Sequence, residues 1–298
     1  MATQKETVAT PANVERVREL FQEQPATSTR RAAQQLGLSH MTVHNILTKK
    51  LDMFPYKIQI QQPLKQVNFD QRFDFANEIL ERIRMNEIDV KRIHFSDECY
   101  FHLDGYVNKQ NFRFWGTENP HLSAVKSAHP EKVNVWCSIS FNGIIGPYFM
   151  TKYVDEEVYR DQVLAKFLPE ARQKGLVRNH WFQQDGATPH RTQENLDQIA
   201  HVFGHRILGL DANRKTGGGI DWPSSSPDLN VCDFFLWGYL KDRVYKTPLG
   251  NVDELAQRII DEIGAINEEI RQRATLAFES RLHHLVASKG EHFENALH

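Results

Sequence analysis

Three aspartates beside short apolar segments limit the folds open to this chain more than any other feature. Each one follows or opens such a segment: Asp97 after residues 92–96, Asp185 after residues 180–184, and Asp233 before residues 234–240. In an α/β sheet, strand ends and helix starts can meet at one edge, so the pattern predicts that the three carboxylates converge. Converging carboxylates repel one another unless cations lie between them, and a pair of hard divalent cations is the usual solution. The sequence therefore points to a metal site suited to phosphoryl transfer on nucleic acid.

The strand pattern is clearest over residues 133–141, where apolar and polar side chains alternate. Asn142-Gly143 is typical of a tight hairpin turn, and residues 144–150 supply the returning strand. A helical pattern from about 156 to 167 then leads to the strand that carries Asp185. Antiparallel strands followed by a helix and another strand predict a mixed α/β sheet.

Asp228 competes with Asp233 for the position of the third acid. Asp228 lies in a Ser-Pro-Asp-Leu-Asn turn and can brace that turn through its own backbone. Asp233 can cap the helix that follows it. Helical spacing also puts Asp233 on the same side as Leu236, Trp237 and Leu240, which would aim its carboxylate inward. Taken singly, each aspartate is more often a turn or cap residue than a metal ligand.

Residues 1–50 contain three short helical patterns. Ser28 or Thr29 can cap the second helix, Gly37 can close it, and Ser39 can cap the third. This predicts a helix-turn-helix module, with a simple three-helix packing unit as the alternative. In such a module the last helix enters the major groove, and the preceding helix contacts phosphate. The candidate DNA contacts are, for phosphate, Arg30 and Arg31, and, for bases, His40, Thr42, His44 and Asn45.

Composition places few limits on function. The 298 residues carry a formal charge of −2, which is not typical of a nucleic-acid-binding protein, although the first fifty residues have a modest basic excess. Three widely spaced cysteines predict buried thiols in a reducing compartment. Apolar runs are too short to span a membrane, and the N-terminus lacks the apolar core of a signal peptide.

The chain resembles the mariner-like transposases of the mariner/Tc superfamily. The matching segments are HFSDE at 94–98, VNVWCSISFNGIIGPYF at 133–149, WFQQDGATPH at 181–190, and DWPSSSPDLNVCDFFLWGYLKDRVY at 221–245. With the first and last helices, the similarity extends over nearly all of the chain. The family carries an Asp-Asp-Asp/Glu triad on an RNase H-like mixed α/β sheet.

The resemblance implies a domain order and a set of site residues. The implied domains are a helix-turn-helix module at 1–50, a linker with a helix at 51–90, an RNase H-like catalytic domain at 91–247 with a clamp-like insertion at 104–131, and C-terminal helices at 248–298. It assigns the triad to Asp97, Asp185 and Asp233, which would hold two Mg²⁺ ions, with Mn²⁺ as a substitute. Glu98 and His190 are candidates to support these acids, and a structural Glu and a surface His are the equal alternatives.

The implied activity is cut-and-paste transposition, in which the same phosphoryl transfer cleaves transposon ends and joins them to target DNA. The expected partners are DNA and a second copy of the chain, with no membrane, and the expected location is the nucleus. The C-terminal helices can form a lid on the core or a dimer surface.

The chain departs from the family pattern in three places. Relatives usually have two helix-turn-helix units, and this chain matches the second. Val231 occupies a position where proline is common, and the longer spacing between Asp185 and Asp233 comes from residues 211–219, a flexible loop by composition. A truncated or domesticated DNA-binding relic is therefore one alternative, and an RNase H-type ribonuclease is another.

Overall fold

The structure is a computed structural model, and it describes residues 9–25, 27–55, 64–105, 131–150 and 153–293. These residues form two compact units that divide at residue 60. The predicted clamp-like insertion at 104–131 lies almost entirely outside the described residues.

The first unit contains three short helices. They are α1 (Pro11–Glu23), α2 (Thr29–Leu36) and α3 (His40–Lys50). Ser28 and Ser39 accept hydrogen bonds from the backbone three residues onward, so both predicted caps start their helices. Gly37 ends α2 with a φ of 66°, a left-handed conformation that glycine adopts without strain. Val17, Val43 and other apolar side chains close a small core between the helices.

The second unit is built on a five-stranded mixed sheet. Its strands are β1 (Ile93–His102), β2 (Lys132–Ser140), β3 (Gly143–Met150), β4 (Trp181–Gln183) and β5 (Ile207–Leu208). The order across the sheet is β3-β2-β1-β4-β5. The pairs β1–β2 and β2–β3 are antiparallel, whereas β1–β4 and β4–β5 are parallel. This arrangement confirms the predicted mixed α/β sheet and the hairpin at Asn142-Gly143.

Helices cover both faces of the sheet. They are α4 (Gln66–Arg84), α5 (Glu156–Val158), α6 (Ala165–Gln173), α7 (Gln193–Phe203), α8 (Ala212–Thr216), α9 (Trp237–Val244), α10 (Val252–Gly264) and α11 (Glu268–Ala287). A π-helical turn, Tyr159–Leu164, joins α5 to α6, and a second, Cys232–Leu236, leads into α9. None of the described helices combines the length and the apolar character needed to cross a lipid bilayer.

Two apolar clusters lie on the two faces because successive strand residues point in opposite directions. Phe95 and Cys137 belong to the cluster that includes side chains of α4, α9, α10 and α11. Trp136 and Phe182 belong to the other cluster, together with side chains of α6 and α7. Helices before and after the predicted catalytic segment therefore contribute to the same core as the sheet.

The C-terminal helices cover one face of the sheet. Phe278, Leu282 and Leu285 of α11 are fully buried, as their spacing predicts. Leu276 lies on the outer face of the same helix and is 41% exposed. Met41 of α3 is likewise exposed, to 60%.

Residues 211–219 are not the loop that composition predicts. They contain the short helix α8, which Asp211 precedes in a left-handed conformation. Asp211 forms ion pairs with Arg191 and Arg214, and Ile220 forms an isolated parallel bridge with Leu208. Tertiary contacts therefore order a segment whose glycines suggested flexibility.

Candidate active site

Asp97 lies within β1 and not at its end, as the sequence had suggested. The strand continues to His102 because residues 95–102 pair with β2. Its parallel neighbour β4 pairs Phe95 with Gln183, and Asp97 and Asp185 each lie two residues beyond this pair. The register thus directs both acids to the same region of the sheet, as predicted.

Asp185 is held by a short loop that folds back on itself. Its Oδ1 atom accepts a hydrogen bond from the backbone N–H of Ala187 at 2.9 Å. The same oxygen lies 2.6 Å from Nδ1 of His190, while Nε2 of His190 lies 3.1 Å from Oε1 of Glu98. His190 therefore bridges the predicted catalytic acid and Glu98.

Several contacts fix His190 in this position. Its side chain is only 4% exposed, and the Tyr159 ring lies against it with the ring centroids 4.3 Å apart. The Tyr159 hydroxyl donates to Oε1 of Gln184 at 2.8 Å, and Nε2 of Gln184 donates to the backbone carbonyl of His190 at 2.8 Å. Tyr159 opens a π-helical turn, a feature found frequently at functional sites.

The electrostatics of the bridge favour a charged imidazole. Burial opposes the charge on His190, but Glu98 and Asp185 together raise its pKa to about 10. Burial alone would raise the pKa of Asp185, but the hydrogen bond and charge of His190 keep it below its usual value. At neutral pH an imidazolium therefore lies between two acids.

The third acid, Asp233, lies in the π-helical turn that leads into α9. Leu236, Trp237 and Leu240 are buried, as the helical spacing predicts. Asp233 itself is exposed and not on this buried side, because the wider π-helical turn changes the residue spacing before α9. The Nε1–H group of Trp237 donates to Oδ2 of Asp97 at 2.7 Å, which joins the helix to the first acid. Just before the turn, Nδ2 of Asn230 donates to the backbone carbonyl of residue 96 at 3.2 Å.

The surroundings of Asp97 and Asp233 disfavour the charged form of both carboxylates. Burial raises the pKa of Asp97 well above its usual value, and the charge of Asp233 adds to the effect. Desolvation by the surrounding protein raises the pKa of Asp233 to about 7, although part of the residue is exposed, and the charges of Asp185 and Asp228 contribute further. The three predicted acids thus influence one another's charge.

These acids fit a hard divalent cation by the chemistry of their donor atoms. Carboxylate oxygens are the ligands that Mg²⁺ and Mn²⁺ prefer. Burial and neighbouring acids raise the pKa values of Asp97 and Asp233, and a bound cation would offset both effects. Within the described ranges, however, no three His, Cys, Asp or Glu side chains form a ready-made ligand cluster.

The carboxylate of Asp228, the rival for the third acid, forms an ion pair with a buried arginine. Its Oδ2 atom lies 2.5 Å from Nη2 of Arg72, and its Oδ1 atom accepts from Nη1 at 2.8 Å. Arg72 is fully buried and also donates to Oγ of Ser226 and to the backbone carbonyl of Gly290. Asp228 therefore holds its turn through Arg72, and not through its own backbone as its position in the turn predicts. The signal for Arg72 was a charged residue on the buried side of α4, one turn from Phe75 and Ala76.

The six predicted DNA-contacting residues lie on α2 and α3 of the first unit. Arg30, Arg31, His40 and His44 are exposed, whereas Thr42 and Asn45 are half-buried. The Thr42 hydroxyl lies 2.8 Å from Oγ of Ser39, so it takes part in the helix cap.

The five-stranded mixed sheet, with acids on β1, beside β4 and before α9, defines an RNase H-like α/β fold. Comparison with solved structures gives the same result. The chain matches the Mos1 transposase paired-end complex with left transposon end at a TM-score of 0.67 and 18% identity, covering 94% of this chain and 80% of that one. The Mos1 paired-end complex with Mg gives a TM-score of 0.68 at 17% identity, covering 99% and 82%. The catalytic domain of Mos1 mariner transposase gives 0.60 at 17% identity, covering 79% and 100%.

Sequence comparison points to the same group of proteins. The chain is 23% identical to the Tc3 transposase of Caenorhabditis elegans over 265 residues, which is 86% of this chain and 72% of that protein. It is 25% identical over 244 residues to the histone-lysine N-methyltransferase SETMAR of Homo sapiens, covering 76% of this chain and 32% of SETMAR. No family model matches the chain. The relatives and the fold together confirm the resemblance to the mariner-like transposases.

Proposed function

We propose that this protein is a cut-and-paste DNA transposase that cleaves and joins DNA strands by metal-dependent phosphoryl transfer. The observation that carries the proposal is the placement of Asp97, Asp185 and Asp233 on three different elements that meet beside β1. The sequence similarity to the Tc3 transposase supports the choice of transposition over other reactions of phosphate esters.

The cofactor in this proposal is a pair of Mg²⁺ ions, for which Mn²⁺ can substitute. Asp97, Asp185 and Asp233 would hold them. When bound, such ions lower the pKa of an attacking water or 3′-hydroxyl and stabilise the leaving oxygen. Mos1 complexes have been solved with Mg and with Mn, which supports this choice of metals.

The protein groups hold the acids in place. Trp237 orients Asp97 through its indole N–H, and His190 orients Asp185 through Nδ1. Glu98 fixes the other side of the His190 ring, so the imidazolium balances part of the negative charge of the site. Precise orientation of the acids matters because small displacements of reacting groups slow catalysis strongly.

DNA is the proposed partner of both units. In the first unit, Arg30 and Arg31 would contact phosphate, and the exposed side of α3, which carries His40 and His44, would face the bases. The solved Mos1 paired-end complexes contain transposon-end DNA, which supports this assignment. A homodimer on DNA and a nuclear location belong to the same proposal.

Cleavage of plasmid DNA tests the proposal directly. We expect Mg²⁺ or Mn²⁺ to activate strand cleavage by the full chain, and we expect Asp185→Asn to abolish it. Asp197→Asn, an exposed aspartate on α7, is the matched control and should cleave like the unmodified protein. Cleavage that survives Asp185→Asn would overturn the proposed mechanism.

The DNA-binding relic remains the second candidate because the first unit has its own core and exposes its candidate DNA contacts. It predicts DNA binding that His44→Ala weakens, with no metal-dependent cleavage by the unmodified chain. The transposase proposal predicts both activities, so parallel binding and cleavage assays separate the two.

A further inference from the structure

One face of the helical segment that carries Asp233 continues past the acids. Asp233, Trp237 and Lys241 follow one another at intervals of four residues, which places them on one side of the helix. On the facing strand, Asp97 and Phe101 share one side because their separation is even. Two contacts join these faces in sequence, since Trp237 donates to Asp97 at 2.7 Å and Nζ of Lys241 lies 5.8 Å from the centroid of the Phe101 ring.

Lys241 differs from neighbouring cations in its partners. Arg243, two residues further along α9, pairs with Glu262 at 3.8 Å and lies over the Tyr239 ring at 4.4 Å. Arg191, next to His190, pairs with Asp211 at 3.3 Å. None of the ion pairs found between described residues includes Lys241, and its side chain is half-buried.

Lys241 also contacts the strand that carries the first acid. Its side chain forms a hydrogen bond with the side chain of Cys99, which lies between Asp97 and Phe101 on the same side of β1. The ammonium group is therefore beside the acidic site without being paired to one of its carboxylates.

We propose that Lys241 binds a backbone phosphate of the DNA strand that enters the acidic site, and this inference rests on the proposed function. Divalent cations would compensate the acids at the cleavage point, but the phosphates beside that point need positive charge from the protein. A lysine suits this task because its ammonium is a compact charge on a flexible stem that can follow a phosphate without fixed geometry. The ammonium lies over the ring of Phe101, a residue of the strand that carries Asp97.

The salt dependence of DNA binding tests this contact without requiring cleavage. Each phosphate contact contributes about 0.9 to the slope of log affinity against log salt concentration. With the full chain and a short fluorescent duplex of arbitrary sequence, we expect Lys241→Met to lower the slope by about 0.9, because methionine keeps an unbranched apolar side chain and removes the charge. Lys241→Arg should keep the slope.

Lys246→Gln is the matched control, because it removes one exposed charge just beyond the end of α9. It should leave the slope unchanged. An unchanged slope in Lys241→Met, or an equal loss in Lys246→Gln, would overturn the inference. Thermal unfolding of Lys241→Met and Lys246→Gln checks that both variants fold. Failure of the proposed transposase activity is a separate outcome. It would appear as DNA cleavage that persists in Asp185→Asn, and it would not change the salt slopes of DNA binding.

Discussion

At the scale of single residues, buried charges determine how the acids are held. Arg72 lies in the apolar core and satisfies its guanidinium with Asp228, Ser226 and backbone carbonyls. Nη1 of Arg281 donates to the backbone carbonyl of Asp228 at 2.7 Å. The turn that precedes Asp233 is thereby fixed to α4 and α11, two helices far away in sequence.

Removing the charge of Asp228 should destabilise the fold. Asp228→Asn leaves Arg72 buried without its counter-ion, and we expect a loss of about 3–5 kcal/mol in the free energy of unfolding. Asp74→Asn, an exposed aspartate on α4, should change it by less than about 0.5 kcal/mol. Urea unfolding measures both. Equal effects of the two substitutions would show that the buried ion pair does not stabilise the fold.

His190 should act on the metal site and not on DNA binding. In His190→Gln, Asp185 loses the imidazolium that orients it, and we expect the affinity for Mn²⁺ to fall by about 10-fold to 100-fold. The affinity for a duplex of arbitrary sequence should stay unchanged. Wild-type Mn²⁺ affinity in a folded His190→Gln variant would contradict a positioning role.

His94 should make the fold sensitive to acid. Burial is the main reason that its pKa is lowered to about 4, although a hydrogen bond to the Leu176 carbonyl acts in the opposite direction. The His94 imidazole binds a proton more tightly in the unfolded chain than in the folded one. Its contribution to the free energy of unfolding is therefore fully present above the unfolded pKa of about 6.5 and is lost as the pH falls towards 4.

A substitution can isolate the contribution of His94 to the pH dependence of stability. Between pH 7 and pH 5 the wild-type protein should lose about 2 kcal/mol of unfolding free energy from this group. His94→Gln cannot titrate, so its loss over the same interval should be smaller by that amount. Urea unfolding at the two pH values measures the difference, and identical pH dependence would contradict the assignment.

At the scale of elements, local signals predicted most helices and strands, and tertiary contacts decided the rest. The caps Ser28 and Ser39 and the hairpin turn at 142–143 act through neighbouring backbone, so the sequence reveals them. The continuation of β1 beyond Asp97 depends on pairing with β2, and α8 depends partly on ion pairs of Asp211. Such long-range causes leave no local pattern, which is also why the two π-helical turns were not predicted.

Two glycines with open surroundings should respond in opposite ways to alanine. A Cβ atom at Gly37 or Gly238 would meet nothing within 4 Å. Gly37 has a φ of 66°, so Gly37→Ala is expected to destabilise the first unit by about 1 kcal/mol. Gly238 lies inside α9, so Gly238→Ala is expected to stabilise the second unit by about 0.5–1 kcal/mol.

Thermal unfolding of the two variants measures both shifts. Because each substitution adds the same methyl group to open space, the backbone conformation is the intended difference between them. A shift of the same sign in both variants would show that another factor determines stability at these positions.

At the scale of the whole molecule, the candidate site draws its acids from distant parts of the chain. Periodicity predicted the sheet, and the family resemblance selected Asp97, Asp185 and Asp233. The supporting contacts could not be read from the sequence, because Trp237 reaches Asp97 and His190 reaches Glu98 only after the sheet has formed. Glu98 and His190 were named as candidates, but their joint contact with Asp185 needed the folded structure.

Isothermal titration of the full chain with Mn²⁺, beside Asp185→Ala and the control Asp197→Asn, tests most directly whether the three acids form a cation site. We predict that the wild-type protein and Asp197→Asn take up the metal alike. Asp185→Ala should lose most of this uptake, because one of the three carboxylates is missing. Equal uptake by all three proteins would place the metal elsewhere and contradict the proposed site.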